Sequence, residues 1–316
     1  MNWLNHSTPM IVDPRSVDLE DRTYLIPCYS NLSALTKSIQ RIGILNSPLV
    51  QQLADGRMIP VAGRRRLQST VALGLDHIHV RLLPEAVPIA EGFALAFWDN
   101  AAHRVFDIAC TAVVIRRVFE LFPRDVAARD FLPILGIALK GPRLERLRAI
   151  GGLESSLLEA FSHGRIHEKT AALLCEMEAE TRLGLLDLTE KLRLNANKKA
   201  EIISWLFDLS VLEATPISEL LAREEAKSII FECDGTVPER AERFRELIRS
   251  WKFPELIARE NEFRDWVRGQ SLLEKMSVQP TTSFEDPGCV IEIRTDSTDE
   301  AERIVSAVKQ HARPNQ

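Results

Sequence analysis

One stretch limits what this chain can fold into more than any other: Asp55 to Gly74, Asp-Gly-Arg-Met-Ile-Pro-Val-Ala-Gly-Arg-Arg-Arg-Leu-Gln-Ser-Thr-Val-Ala-Leu-Gly. Asp55-Gly56 is a tight-turn dipeptide between two apolar runs, Pro48–Leu53 and Met58–Ala62, which predicts a β-hairpin. Gly63 ends the second strand. Arg64-Arg65-Arg66 then opens a helix in which Leu67, Val71, Leu73 and Leu75 recur at roughly helical spacing. The first N–H groups of a helix lack intrahelical partners and carry the positive end of its dipole. Guanidinium groups beside them suit a phosphate chain. They equally suit a solvated, salt-bridged helix start, and the stretch alone leaves both readings open.

Around this stretch the chain has the material of a globular protein. Its 316 residues are enough for two or three domains, with 45% apolar and 27% charged residues. The net charge of −5 gives no overall attraction to nucleic acid, so any basic surface has to be local. Cys28, Cys110, Cys175, Cys233 and Cys289 show no CxxC and no pairing rhythm, as expected of free thiols in a reducing cytoplasm. The N-terminus has no basic-then-apolar signal pattern, and no window reaches the ~18 unbroken apolar residues of a membrane span. A cytoplasmic protein without membrane contact is expected.

In chain order, residues 1–10 read as a loose tail, followed by short β candidates at Met10–Val12, Val17–Leu19 and Tyr24–Ile26. A helix is expected from about Leu32 to Ile42, capped by Asn31 or Ser33, with Leu35, Ile39 and Ile42 on its apolar face and Gly43 as its stop. A strand from His77 to Leu83 closes this part. His77 and His79 share a face of it, but no third metal ligand lies nearby in the sequence. From Ile89 onward the pattern is helical through Phe122, and from Asp125 to Leu212 it is all helix in short pieces with Gly-containing turns, compatible with helix-turn-helix packing. Lys140, Arg143, Arg146 and Arg148 stand against Glu145 alone, with Leu144 and Leu147 behind them. This short basic helix suits phosphates and base edges, or else forms a solvated basic face. The turn before it reads as short and interrupted by Pro142. His163 and His167 read as loop and cap residues. Beyond Glu213 the chain is acidic. A linker is expected about Asp234-Gly235 and Pro238, then helices over Glu239–Ile248 and Glu255–Trp266, an extended Pro280–Phe284, a strand over Cys289–Arg294 and an amphipathic helix over Ser297–His311.

Ser38-Ile-Gln-Arg-Ile-Gly-Ile-Leu-Asn-Ser-Pro-Leu-Val50, the hairpin, Gly63-Arg-Arg-Arg66 and Leu73-Gly-Leu-Asp-His-Ile-His-Val-Arg81 together resemble, in order and spacing, the N-terminal domain of the ParB family of DNA partition proteins. Asp99-Asn-Ala-Ala-His-Arg104 resembles that family's Glu-Asn-x-x-Arg segment. The stretches Leu135–Arg148, Leu157–His167 and Thr170–Leu174 resemble its DNA-reading region more weakly. The resemblance implies an α/β ParB/sulfiredoxin-like domain (residues 1–86), connecting helices that complete a nucleotide site (87–124), an all-α domain containing a helix-turn-helix (125–212), and a small α+β unit (213–316).

It also implies CTP with Mg²⁺ as ligand. Gly63, Arg64, Arg65, Arg66, Asn100, His103 and Arg104 would surround the phosphates, Asn100 would help hold the metal, and Asp99 would stand at the hydrolytic position of a weak CTPase. Lys140, Arg143, Arg146 and Arg148 would meet DNA. The implied protein is a homodimer on the nucleoid, acting in partition or transcriptional regulation.

Three departures mark the chain: Arg64 and Asp99 each stand where the family has Glu, and the C-terminus is unlike the lysine-rich dimerisation tail of partition proteins. A nuclease of the same fold would need a fuller carboxylate cluster than Asp55, Asp76 and Asp99. A thiol enzyme of the sulfiredoxin kind would need a cysteine at the arginine turn, where the sequence has none. An adaptor that has lost nucleotide, with a protein partner on the C-terminal region, accords with both substitutions.

Overall fold

The computed structural model describes residues 3–231, 235–270, 276–280 and 288–311. The chain forms two compact units, Met1–Ser204 and Trp205–Gln316. The first begins with a four-stranded sheet in the order β1-β4-β2-β3, made of β1 (Thr8–Val12), β2 (Leu49–Gln52), β3 (Met58–Ala62) and β4 (Ile78–Leu83). β2 and β3 pair antiparallel about Gly56, whose φ of 85° only glycine adopts readily, as the Asp-Gly turn predicts. β4 runs parallel to β2 and antiparallel to β1. Residues 3–10 are not a loose tail: Trp3–His6 is a 3₁₀ turn and Thr8 already belongs to β1, while residues 1 and 2 lie outside the described residues. Val17 makes only an isolated bridge to Met58, and Tyr24–Ile26 is irregular although Tyr24 and Ile26 are buried.

Both faces of the sheet are covered. α1 (Ser33–Ile42) lies ahead of β2, and α2 (Arg64–Ala72) links β3 to β4. Leu67 of α2 packs with Val12, Val50, Ile78 and Val80 in one cluster. Ile59, Val61 and Leu83 pack with Phe93 and Phe97 of α3 (Ile89–His103) and Val114 of α4 (Ile108–Leu121) in the other. α3 and α4 are separate because the backbone extends at Arg104, after which Asp107 caps α4 through Cys110 N.

α5 (Arg124–Val126), a π turn over Ala127–Phe131 and α6 (Leu132–Leu135) run on as one helical segment. Pro133 sits at the start of α6 and lacks the N–H an α-helix would offer to Arg129, while Leu132 N bonds back to Ala127 O across the π turn. Next come α7 (Pro142–Ile150), α8 (Ser155–Ser162), α9 (Glu168–Leu174), α10 (Ala179–Lys191) and α11 (Ala196–Leu212). Pro142 does not interrupt α7. It occupies the first turn, where its missing N–H costs nothing. The Gly151-Gly152 turn presses on α4: a Cβ on Gly151 would stand 2.2 Å from the Ala112 carbonyl oxygen. Lys199 is buried, with its ammonium on Glu190.

In the second unit are α12 (Ile217–Leu221), α13 (Glu224–Phe231), α14 (Val237–Lys252), α15 (Pro254–Gly269), the hairpin of β5 (Met276–Pro280) and β6 (Cys289–Ile293), and α16 (Thr298–His311). Pro238 belongs to no linker. It lies in the first turn of α14, which Thr236 and Glu239 close with a capping box. Asp234 and residues 281–284 of the expected extended segment fall outside the described residues. Ser297 caps α16 by accepting Glu300 N at 3.2 Å. Among the described residues no helix is long and apolar enough to cross a membrane.

Candidate functional site

A cleft of about 1130 Å³ opens where the loop Arg22–Tyr29, the end of α1, the β3–α2 turn and the C-terminal half of α3 meet. Gly63, Arg64, Arg65 and Arg66 line it together with Asp99, Asn100, His103 and Arg104, so the fold brings two segments more than thirty residues apart onto one cavity. Gly63 makes this turn with φ 83°, and the Arg66 guanidinium folds back to 3.0 Å from where its Cβ would be. Ile42, expected inside as part of the apolar face of α1, is instead exposed on the rim of the cleft.

The three arginines do different things. Arg64 spends its two terminal nitrogens on the carbonyls of Leu19 and Asp21, and burial lowers its pKa despite the nearby acids of that loop. Its headgroup therefore ties down the N-terminal loop and is not a free phosphate ligand. Arg65 donates to Asn31 O at 2.7 Å and Ser30 O at 3.2 Å, and its Nε is buried without a partner. Arg66 donates to Asn46 O and stands 4.0 Å from the Asp99 carboxylate.

On α3, Asn100 donates to Ala96 O at 2.8 Å and accepts Arg104 Nε at 2.9 Å. Arg104 also donates to Pro27 O at 2.9 Å and lies over the Phe106 ring. The amide oxygen expected to face a metal thus holds a guanidinium, and among the described residues no group of three His, Cys, Asp or Glu could bind a metal ion. In this arrangement Asn100 positions Arg104. The Asp99 carboxylate stands 4.0 Å from Arg66 and 3.9 Å from His103, whose Nδ1 meets the Asp99 backbone oxygen at 2.6 Å.

Sequence reading missed Cys28. It is absent from the arginine turn, yet it lines the same cleft, with its Sγ 3.2 Å from Ser30 Oγ. Burial alone would raise its thiol pKa, but the Ser30 hydrogen bonds and the charges of Arg104 and Arg65 bring it below the ordinary value. No periodicity announces such a residue; its place depends on a loop that packs without regular structure. A lowered pKa means more thiolate at a given pH. Iodoacetamide alkylation of Cys28, followed by peptide mass mapping, should therefore rise at lower pH in the folded protein than in the urea-unfolded chain. Coincident profiles would contradict this environment.

The basic helix α7 buries Leu144, Leu147 and Ile150 and turns its cations outward. Arg143 and Arg146 both reach Glu168 of α9, at 3.3 and 3.1 Å, and Arg148 lies over Phe119 with Glu145 at 3.9 Å. Lys140 is exposed and, among the described residues, meets no acid.

No protein-family model matches the chain, and no curated protein does. Among solved structures it is similar to a Pnob8-like ParB-N domain, at 13% identity over 78% of this chain and 97% of that one, with a TM-score of 0.34. It is also similar to the C-terminally truncated chromosome-partitioning protein ParB from Caulobacter crescentus complexed with CTP-gamma-S, at 17% identity, 56% and 96% coverage and TM-score 0.25. A third is the same protein complexed to the centromeric parS site, at 12%, 60% and 96%, and 0.30.

Proposed function

We propose that the cleft binds a nucleoside triphosphate, CTP by resemblance, and that α7 binds DNA, in a homodimeric partition or regulatory protein. The observation that carries this reading is the convergence of Arg65, Arg66 and Arg104 on one cleft. Charge-assisted hydrogen bonds from guanidinium groups to phosphate oxygens are short, strong and often bidentate. Mg²⁺ is taken as arriving on the triphosphate, with no protein ligand assigned to it. Binding is proposed and turnover is not, because Asp99 is one methylene shorter than the Glu of the family's hydrolytic position and a carboxylate that orients water is sensitive to displacements of about 1 Å.

The α5–α6 segment, the turn from Gly136 to Gly141 and α7 supply the helix-turn-helix of this reading, with Lys140, Arg143, Arg146 and Arg148 facing DNA. Calorimetry with CTP, ATP and GTP, each with MgCl₂, tests the site. Heat with CTP above the other two supports it. No heat with any nucleotide removes the gated reading and leaves a DNA-binding or adaptor protein, for which the internal engagement of Arg64 and Asn100 already speaks.

A further inference from the structure

We infer that Glu168 is an electrostatic gate on the basic helix: its carboxylate offsets the charge of Arg143 and Arg146 and competes with phosphate for them. This rests on the DNA-binding reading of α7. Arg143 Nε lies 3.3 Å from one carboxylate oxygen, and Arg146 Nε and a terminal nitrogen lie 3.3 and 3.1 Å from the other. One acid thus engages two of the four cations expected to meet DNA, across the boundary between α7 and α9.

A purely structural staple explains this arrangement poorly. The two arginine side chains are 56% and 41% exposed, and ion pairs in that setting contribute little to stability. The two helices already bury Leu144, Leu147 and Ile150 on one side and Thr170, Ala171 and Leu174 on the other. The same carboxylate has a larger effect on an incoming phosphate. It presents a negative charge at the point of contact and takes up the Nε of both guanidinium groups and one terminal nitrogen of Arg146, donors that a phosphate would otherwise use. Duplex DNA with its dense phosphates competes for those donors better than a lone anion, so the gate favours a polyanion over small phosphates.

The test is fluorescence anisotropy with a labelled 30-base-pair duplex and the full chain, from 50 to 300 mM KCl. Variants are Glu168→Gln, Arg146→Ala and the double change. Each phosphate contact adds about 0.9 to the slope of log K against log salt, so Glu168→Gln should steepen the slope by roughly one to two and raise affinity about tenfold at low salt. The double variant should lose about half of that gain, because Arg143 is still released. If wild type binds in an Arg146-dependent way and Glu168→Gln changes neither slope nor affinity, the gate is wrong and the DNA reading stands. If no variant binds, both fall. Should Glu168→Gln not fold, Glu168→Asp keeps the charge but cannot reach both arginines, and an affinity between wild type and the tenfold gain is expected. Affinity equal to wild type would overturn the gate.

Discussion

Replacing Arg65 with alanine should weaken CTP binding by about 2–3 kcal/mol, roughly 30- to 150-fold, because a charge-assisted contact to the phosphates is lost. Stability should change little, since the Arg65 side chain makes only two hydrogen bonds, both to exposed backbone carbonyls. Arg64→Ala is its complement. It leaves Arg65, Arg66 and Arg104 in the cleft but frees the loop that Arg64 holds at Leu19 and Asp21. A fall in the urea midpoint equivalent to about 1–2 kcal/mol is expected there, with weaker binding only as a secondary effect. Calorimetry and urea melts on the two variants separate these roles. If Arg64→Ala abolished binding with an unchanged midpoint, the division of labour between adjacent arginines would be wrong.

The second large effect belongs to a glycine. Gly151→Ala should destabilise the first unit by about 3 kcal/mol, because the new methyl would meet the Ala112 carbonyl oxygen at 2.2 Å and its carbon at 2.7 Å. Both are backbone atoms of α4, so relief requires α7 and α4 to part. The same substitution at Gly184, exposed within α10 with nothing within 4 Å of its Cβ, should instead stabilise by roughly 0.5–1 kcal/mol through helix propensity. Urea midpoints of opposite sign for one chemical change would establish that close approach, rather than glycine itself, sets the cost.

The hairpin and the arginine turn were legible because their signals are local: a turn dipeptide between apolar runs, then a change of hydrophobic period. The convergence of Asn100 and Arg104 on that turn came from the resemblance and not from any spacing. What remained hidden depended on long side chains reaching distant backbone. Nothing near Arg64 indicates that Leu19 and Asp21 will claim it. Arg104 is held at Pro27 by a loop with no regular structure, and the same loop delivers Cys28. The basic character of α7 was plain, but Glu168 lies more than twenty residues on, and a count of local charge could not find it.

The π turn at Ala127–Phe131 makes this part of the chain sensitive to length. Widening the helix there lets Ala127, Phe131 and Leu132 all enter the core, and Phe131 completes a ring cluster with Phe97 and Phe122. An ordinary α repeat would send Leu132 toward a different side from Ala127. Loss of Ala128, Arg129 or Asp130 would close this turn to an ordinary α turn, with Leu132 four residues from Ala127 and still on its side, so everything up to Gly136 would keep its phase. Gain of one residue would instead turn Leu132 by about 100° and withdraw it from the interior. In a lineage of such proteins, deletions in this segment should outnumber insertions.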